Sequence, residues 1–204
     1  VNFSNGANYN IGNLENQGVE VSFDVYPIRN DKMTWRIGGN VTFQDSEITE
    51  LTGSKAGFNI GGISGGTGTT VQNHQVGFAP SAFFVYEQAY DAAGAPIDGD
   101  YVDRNADGII NADDKYRYRK PAADMFYGFN TDFSYENWWF SMSWRGSVGN
   151  YNYNNVYSNF GNQSQSLPSN GNYLSNAHVS ILDTNFASPR YESDYYIQDA
   201  SFLR

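Results

Sequence analysis

The densest set of metal-ligating side chains lies between Asp103 and Asp114. The pattern Asp103-x-Asn105-x-Asp107-Gly108-Ile109-x-Asn111-x-x-Asp114 follows the spacing of an EF-hand calcium loop at positions 1, 3, 5, 6, 7, 9 and 12. Calcium is a hard cation that takes about six to eight oxygen ligands at flexible distances. This spacing can wrap the Asp103, Asn105, Asp107 and Asp114 side chains and the Ile109 carbonyl around one ion. Gly108 permits the sharp turn, and Ile110 is placed to anchor the loop in neighbouring apolar packing. Position 12 is Asp114 and not the bidentate Glu of EF-hands, so a lower affinity is expected. The competing reading is an Asx-rich turn without metal, because Asp, Asn and Gly dominate turns. Agreement at all the oxygen positions and at the glycine favours a structural calcium ion.

Catalytic chemistry finds little footing. His74 and His178 lie far apart, and neither stands beside an acidic partner or a G-x-S-x-G nucleophile motif. Glu192 and Asp199 could pair, but their spacing gives no argument for two-carboxylate glycoside hydrolysis. Gly61-Gly62 and Gly65-Gly66 lack the Lys-Ser/Thr of a phosphate loop and read as a flexible outer loop. The chain is therefore read as a non-enzyme. Tyr151, Tyr153, Tyr157 and Phe160 alternate with Asn152, Asn154, Asn155, Asn159 and Gln163. Rings and amides suit the CH faces and hydroxyls of sugars, yet they equally suit loop self-contacts, and no single residue is assigned as a ligand contact.

The elements that must carry these groups are strands. Aromatics make up 17% of the 204 residues, with 16 Tyr and 14 Phe, and charged residues only 17%. That bias favours strands over helices. The net charge is −10 and the 12 Lys and Arg are scattered, which excludes the basic stripe of a nucleic-acid binder. With no cysteine, disulfide scaffolds and thiolate metal sites are excluded. No apolar run approaches the ~20 residues of a membrane-spanning helix, a test that says nothing of barrel strands. The opening Val1-Asn2-Phe3-Ser4 reads as loop, as in a processed or truncated product.

Alternation is clean in four segments. Val19, Val21, Phe23 and Val25 oppose Glu20, Ser22 and Asp24. Met33, Trp35, Ile37, Val41 and Phe43 oppose Thr34, Arg36, Asn40, Thr42 and Gln44. Met125, Tyr127, Phe129, Phe133 and Tyr135 oppose Gly128, Asn130, Asp132 and Ser134. Trp138, Phe140, Met142, Trp144 and Val148 oppose Trp139, Ser141, Ser143, Arg145 and Ser147. A period of two gives each strand one apolar and one polar face. A fifth strand is expected over Tyr195 to Arg204.

The connections alternate between short and long. Pro27 to Lys32 and Glu136-Asn137 predict tight hairpins. Residues 47–124 and 149–194 are long, rich in Gly, Asn and Ser, and lack strict alternation. A soluble β-sandwich would also alternate. Short turns facing long loops, with Tyr26, Trp35, Tyr135 and Trp138 beside the short turns, match instead the aromatic girdle and loop asymmetry of an outer-membrane barrel.

Ordered stretches resemble the SusC/RagA family of TonB-dependent transporters of Bacteroidetes. They are Ile11 to Glu20; Trp35 to Leu51; Tyr101-Val102-Asp103-Arg104-Asn105-Ala106-Asp107-Gly108-Ile109-Ile110; Tyr127-Gly128-Phe129 through Trp138-Trp139-Phe140 to Gly149-Asn150; and Ser201 to Arg204. The acidic stretch, with no helical pattern on both sides, is similar to a dockerin-type loop. The family resemblance implies an all-β fold, an antiparallel transmembrane β-barrel segment of a 22-stranded barrel with long extracellular loops. It implies an N-terminal plug energised through TonB, a SusD-like surface lipoprotein as lid, outer-membrane location and uptake of glycans or peptides. Residues 1–204 are then a partial C-terminal barrel domain, expected to be a fragment of a longer polypeptide, since five strands cannot close such a barrel. Plug and final strands would lie outside it. With the tight turns periplasmic, 47–124 and 149–194 face the cell exterior. The alternative is a secreted β-sandwich module that binds carbohydrate, with the acidic loop as its structural calcium site.

Overall fold

The computed structural model describes residues 10–52, 57–63, 69–166 and 176–204. Two long strands open the chain, β1 (Gly12–Arg29) and β2 (Met33–Leu51). Asn30 makes the turn between them. Its side-chain oxygen accepts the amides of Lys32 at 3.0 Å and Met33 at 2.9 Å, an Asx-turn that replaces ladder bonds. Short strands follow: β3 (Phe58–Gly62), β4 (Thr70–His74), β5 (Ala82–Val85), β6 (Gln88–Tyr90), β7 (Pro96–Tyr101) and β8 (Tyr116–Arg117). Then come β9 (Met125–Tyr135) and β10 (Trp138–Val148), joined by Glu136-Asn137 with Glu136 at a φ of 51°. The chain continues through β11 (Tyr151–Tyr153), the short helices α1 (Asn155–Phe160), α2 (Gln163–Ser166) and α3 (Ile181–Thr184), β12 (Ile197–Asp199) and β13 (Phe202–Leu203).

The main sheet has the order β1-β2-β9-β10-β13, and every neighbouring pair is antiparallel. Its register sets the four alternating segments in step. One face carries the rows Val19–Phe43–Met125–Val148, Val21–Val41–Tyr127–Gly146 and Phe23–Gly39–Phe129–Trp144. Trp35–Phe133–Phe140 and Met33–Tyr135–Trp138 continue that face toward the tight turns. A β-carbon on Gly39 would stand 2.7 Å from the Phe23 ring, so glycine there lets Phe23 lie across the sheet. The two turns meet where the Glu136 amide donates to the Lys32 carbonyl at 2.8 Å.

At ~3.3 Å per residue, the 11 residues of β9 and of β10 suffice to cross a bilayer core as tilted strands. β1 and β2, with 18 and 19 residues, run well beyond it. Strand β2 thus continues past Glu47, where the sequence pattern ends, in ladder with Leu14 and Asn13 of β1 and with Ile48 buried against the cap.

The long connections are not open loops. The strands β3-β4-β5-β8 form a second sheet, while β6-β7 and β11-β12 pair separately. Val71, Phe83, Val85 and Ile197 build a buried core, with Tyr116, Tyr118, Tyr151 and Tyr153 packed against it. Phe186 and Tyr196 are also buried. This folded cap sits at the end of the main sheet opposite the tight turns, tied by Ile48 N to Phe78 O and Gly77 N to Ile48 O at 3.0 and 2.9 Å. Gly61 and Gly62, read from sequence as flexible, lie in β3; Gly65 and Gly66 are outside the described residues. The expected strand at Tyr195–Arg204 is divided. Ile197–Asp199 pairs with β11 in the cap, and Phe202–Leu203 pairs with β10 in the main sheet.

Candidate functional site

The first candidate surface is the polar face of the main sheet. Rows Ser22–Asn40–Gly128–Arg145 and Asp24–Gly38–Asn130–Ser143 lie opposite the apolar rows. Arg36 joins three strands across this face. Its Nε donates to Asp24 Oδ2 at 2.9 Å and its Nη1 to Asp132 Oδ2 at 3.0 Å. Ser141 Oγ then donates to Asp132 Oδ1 at 2.7 Å. Such a charged row suits a water-filled interior and would be costly against lipid.

The apolar face is bare. Val19 is 63% exposed, Phe140 55% and Trp144 46%. A β-sandwich would cover these side chains with a second sheet. No helix of the described residues is long and apolar enough to cross a membrane.

The second candidate is the acidic loop, between β7 and a turn of 3-10 helix at Ala112–Asp114. Asp103 accepts the Gly108 amide at 2.7 Å, Asn105 the Asp107 amide at 3.0 Å, and Asp107 the Ile109 amide at 2.8 Å. Asp114 is fully buried. Its carboxylate accepts the Arg104 amide at 2.9 Å, the Asn105 amide at 3.4 Å and the Asn111 amide at 2.9 Å. The Asn111 amide, followed by those of Arg104 and Asn105, holds the Asp114 carboxyl below the usual range. Asp103, Asn105, Asp107 and Asp114 are thus brought into one loop, and the Ile109 carbonyl accepts from the Asn111 side chain at 3.3 Å. All donors are oxygens, as a hard cation requires, and carboxylate oxygens keep lone pairs beyond those that the amides use. Among the described residues, no three His, Cys, Asp or Glu side chains are gathered closely enough to hold a metal. Ile110 does not anchor the loop, being 41% exposed. Arg104 does so instead, paired with Glu87 and stacked 4.3 Å from the Tyr116 ring centre.

The chain is 41% identical over 211 residues to the TonB-dependent receptor SusC of Bacteroides thetaiotaomicron, covering 100% of the chain and 21% of SusC. The chain belongs to the SusC/RagA family of TonB-dependent transporters. TonB-dependent receptor P26 of Formosa agariphila is 31% identical over 166 residues, covering 71% of the chain and 16% of that protein. The structure of the RagAB peptide transporter matches with a TM-score of 0.64 at 18% identity, over 96% of the chain and 22% of that chain. No family model matches. The chain spans about a fifth of the length of the relatives it matches. Within the SusC/RagA family, the main sheet is a segment of an antiparallel transmembrane β-barrel.

In this family segment the other sequence candidates are structural. His74 accepts the Ser81 amide at 3.1 Å, and His178 accepts the Ser180 amide at 3.1 Å. Glu192 pairs with Lys115, whereas Asp199 accepts the Ser201 amide at 2.6 Å, so the two carboxylates have separate partners. Asn154 caps α1 through the Tyr157 amide at 3.0 Å, and Tyr153 donates to the Tyr191 carbonyl at 2.7 Å. These residues of the Tyr/Asn stretch serve the cap's own packing.

One cluster departs from the expectation of scattered cations. Lys115, Arg117, Arg119 and Lys120 supply four of the chain's 12 basic residues. Their interleaving with Tyr116 and Tyr118 was the available signal, hidden when cations are counted over the whole chain.

Proposed function

We propose that the chain forms barrel wall and outer cap of a TonB-dependent outer-membrane importer that takes up oligosaccharides or peptides with a SusD-like surface lipoprotein. The observation that carries this reading is the two-faced main sheet, apolar and bare on one side and charged on the other. The apolar rows would meet lipid, and the Arg36 row would line the lumen. The tight turns would face the periplasm and the cap the cell exterior. Cargo held between cap and lipoprotein lid would enter when TonB displaces a plug that belongs to another part of the polypeptide. The name of SusC and the peptide cargo of RagAB support the reading, and leave glycan or peptide to be decided by growth.

The acidic loop is proposed to hold one calcium ion through Asp103, Asn105, Asp107, the Ile109 carbonyl and Asp114. The ion would fix the loop and take no part in transport chemistry.

Deletion of the gene is the test. Loss of growth on one class of oligosaccharide or peptide, with extracellular hydrolysis of that nutrient unchanged, is expected. Unchanged uptake of every nutrient tried would overturn the proposal.

A further inference from the structure

A cavity of about 270 Å³ opens beside Arg117, Arg119, Lys120, Phe78, Tyr118 and Tyr151. Two of its cations have no carboxylate partner among the described residues. Arg117 donates one Nη2 bond to Asn73 at 2.9 Å, lies over Phe78 and Phe84 at 4.5 and 4.8 Å, and keeps a buried Nε with no acceptor. Arg119 stacks on Tyr118 and Tyr151 at 5.2 and 4.9 Å. An arginine fork stacked on rings and short of acceptors is preorganised for a tetrahedral or planar anion. Burial lowers the Arg117 guanidinium from its ordinary value, as expected where a cation lacks its counter-ion.

The position of the cavity identifies the source of the anion. Lys120 bonds Asp45 at 3.0 Å and Asp124 at 2.9 Å. Asp45 shares a face with Phe43, two residues further along β2, in unbroken register with Gln17 and Val19. Asp124 also lines the shallow apolar depression formed by Val19 and Phe43. The basic cavity therefore borders the end of the bare apolar face, which on the reading above is the depth where bilayer chains give way to headgroups. Asp124 lines the cavity as well and is held by Lys120, as is Asp45 nearby; Asp199 lies close enough for its carboxyl to feel the Arg119 charge.

We propose that Arg117 and Arg119 bind the phosphate of a membrane lipid headgroup in this cavity. The assignment rests on the reading above that the apolar face meets lipid. The phosphate would accept from the Arg117 and Arg119 guanidinium groups where they line the cavity, while the lipid chains lie along Val19 and Phe43.

The test uses the whole transporter, purified in detergent and exchanged into mixed micelles of phosphatidic acid and phosphatidylcholine. Recovery from the soluble fraction, seen before any lipid is counted, would overturn the reading of the apolar face itself. Native mass spectrometry should then show preferential retention of phosphatidic acid. Arg117→Gln with Arg119→Gln should weaken that retention about tenfold, since two charge-assisted contacts are lost. Arg29→Gln, at the opposite end of the sheet, should leave it unchanged. Should the double variant fail to fold by its gel mobility before and after heating, Arg119→Gln alone carries the test, because that side chain contributes stacking and no ion pair. Equal retention by wild type and a folded variant would overturn the site. Equal binding of inorganic phosphate, with no preference for phosphatidic acid over phosphatidylcholine, would overturn the lipid as its source.

Discussion

The indole N–H of Trp35 donates to Thr131 Oγ1 at 2.9 Å, and Thr131 Oγ1 in turn donates to the Arg36 carbonyl at 3.1 Å. Both side chains belong to the apolar face, and Thr131 is buried there. Thr131 interrupts the alternation of β9, yet its hydroxyl and the Trp35 ring satisfy one another. The pair explains how a threonine can stand in a row otherwise filled by Ile37 and Met142.

Thr131→Val should therefore strand the Trp35 N–H and destabilise the folded wall by about 1–3 kcal/mol. Adding Trp35→Phe removes the stranded donor, and the double variant should lose less than the sum of the two single variants. Urea unfolding of the whole transporter in lipid vesicles, followed by gel mobility, measures both. Strict additivity would mean that the pair contributes no coupling.

Arg36 stands between two carboxylates on neighbouring strands. Arg36→Met should leave Asp24 and Asp132 repelling each other and lower stability slightly, as expected for solvent-screened pairs. Asp24→Asn with Asp132→Asn in that background should recover part of the loss. High salt should narrow the difference, because these groups are about one-third exposed or more. A variant indistinguishable from wild type at low salt would show that the row does not fix strand register.

The Asp114 carboxyl is lowered by the backbone amides it accepts. A group depressed in the folded state contributes stability that is fully present above its unfolded value of about 3.9 and is lost as pH falls through the folded one. Hydrogen exchange at the Arg104, Asn105 and Asn111 amides should accelerate below about pH 4 beyond the intrinsic pH effect. Asp114→Asn should already show the faster exchange at neutral pH. Protection independent of pH in the wild type would contradict this.

Calcium binding by the acidic loop has a direct calorimetric test. Titration of wild type should release or absorb heat with one ion per chain, and Asp103→Ala should abolish it. Indistinguishable isotherms would leave the loop as an Asx-rich turn held by its own amides.

The four wall strands and their faces were legible because alternation survives wherever one side meets apolar surroundings and the other does not. Asp45 to Leu51 were not, since the one apolar side chain on the other face there, Ile48, is buried against the cap and not in line with the apolar rows. The cap was hidden for another reason. Its strands are two to six residues long, too short for a period to register. Their partners also lie far away, as when Tyr86 N bonds Glu192 O at 2.8 Å. Tyr116 illustrates the consequence. Its phenol donates to Asp194 Oδ2 at 2.6 Å, and burial followed by that bond pushes its titration well above the ordinary value. Nothing in the local sequence announces either partner. The acidic loop was legible in spacing, but its anchor was not: Arg104 lies inside the motif at a position the pattern leaves open.

Orientation can be read by labelling intact cells. Ile109→Cys, on the exposed acidic loop, should react with an impermeant maleimide, and Asp31→Cys, in the tight turn, should react only after the outer membrane is opened. Lys115 is a poor reporter because its side chain is only 10% exposed and its ammonium is paired with Glu192.

One face of the main sheet is proposed to meet lipid and the other to line the lumen, and β9 reports on both. Single cysteines through β9, from Phe126 to Ser134 in the whole transporter, carry a fluorophore in native membranes with quenchers confined to the lipid chains or to water. Alternation is expected, with Tyr127, Phe129 and Phe133 quenched from lipid and Gly128, Asn130 and Asp132 quenched from water. Uniform quenching from water along the strand would contradict it.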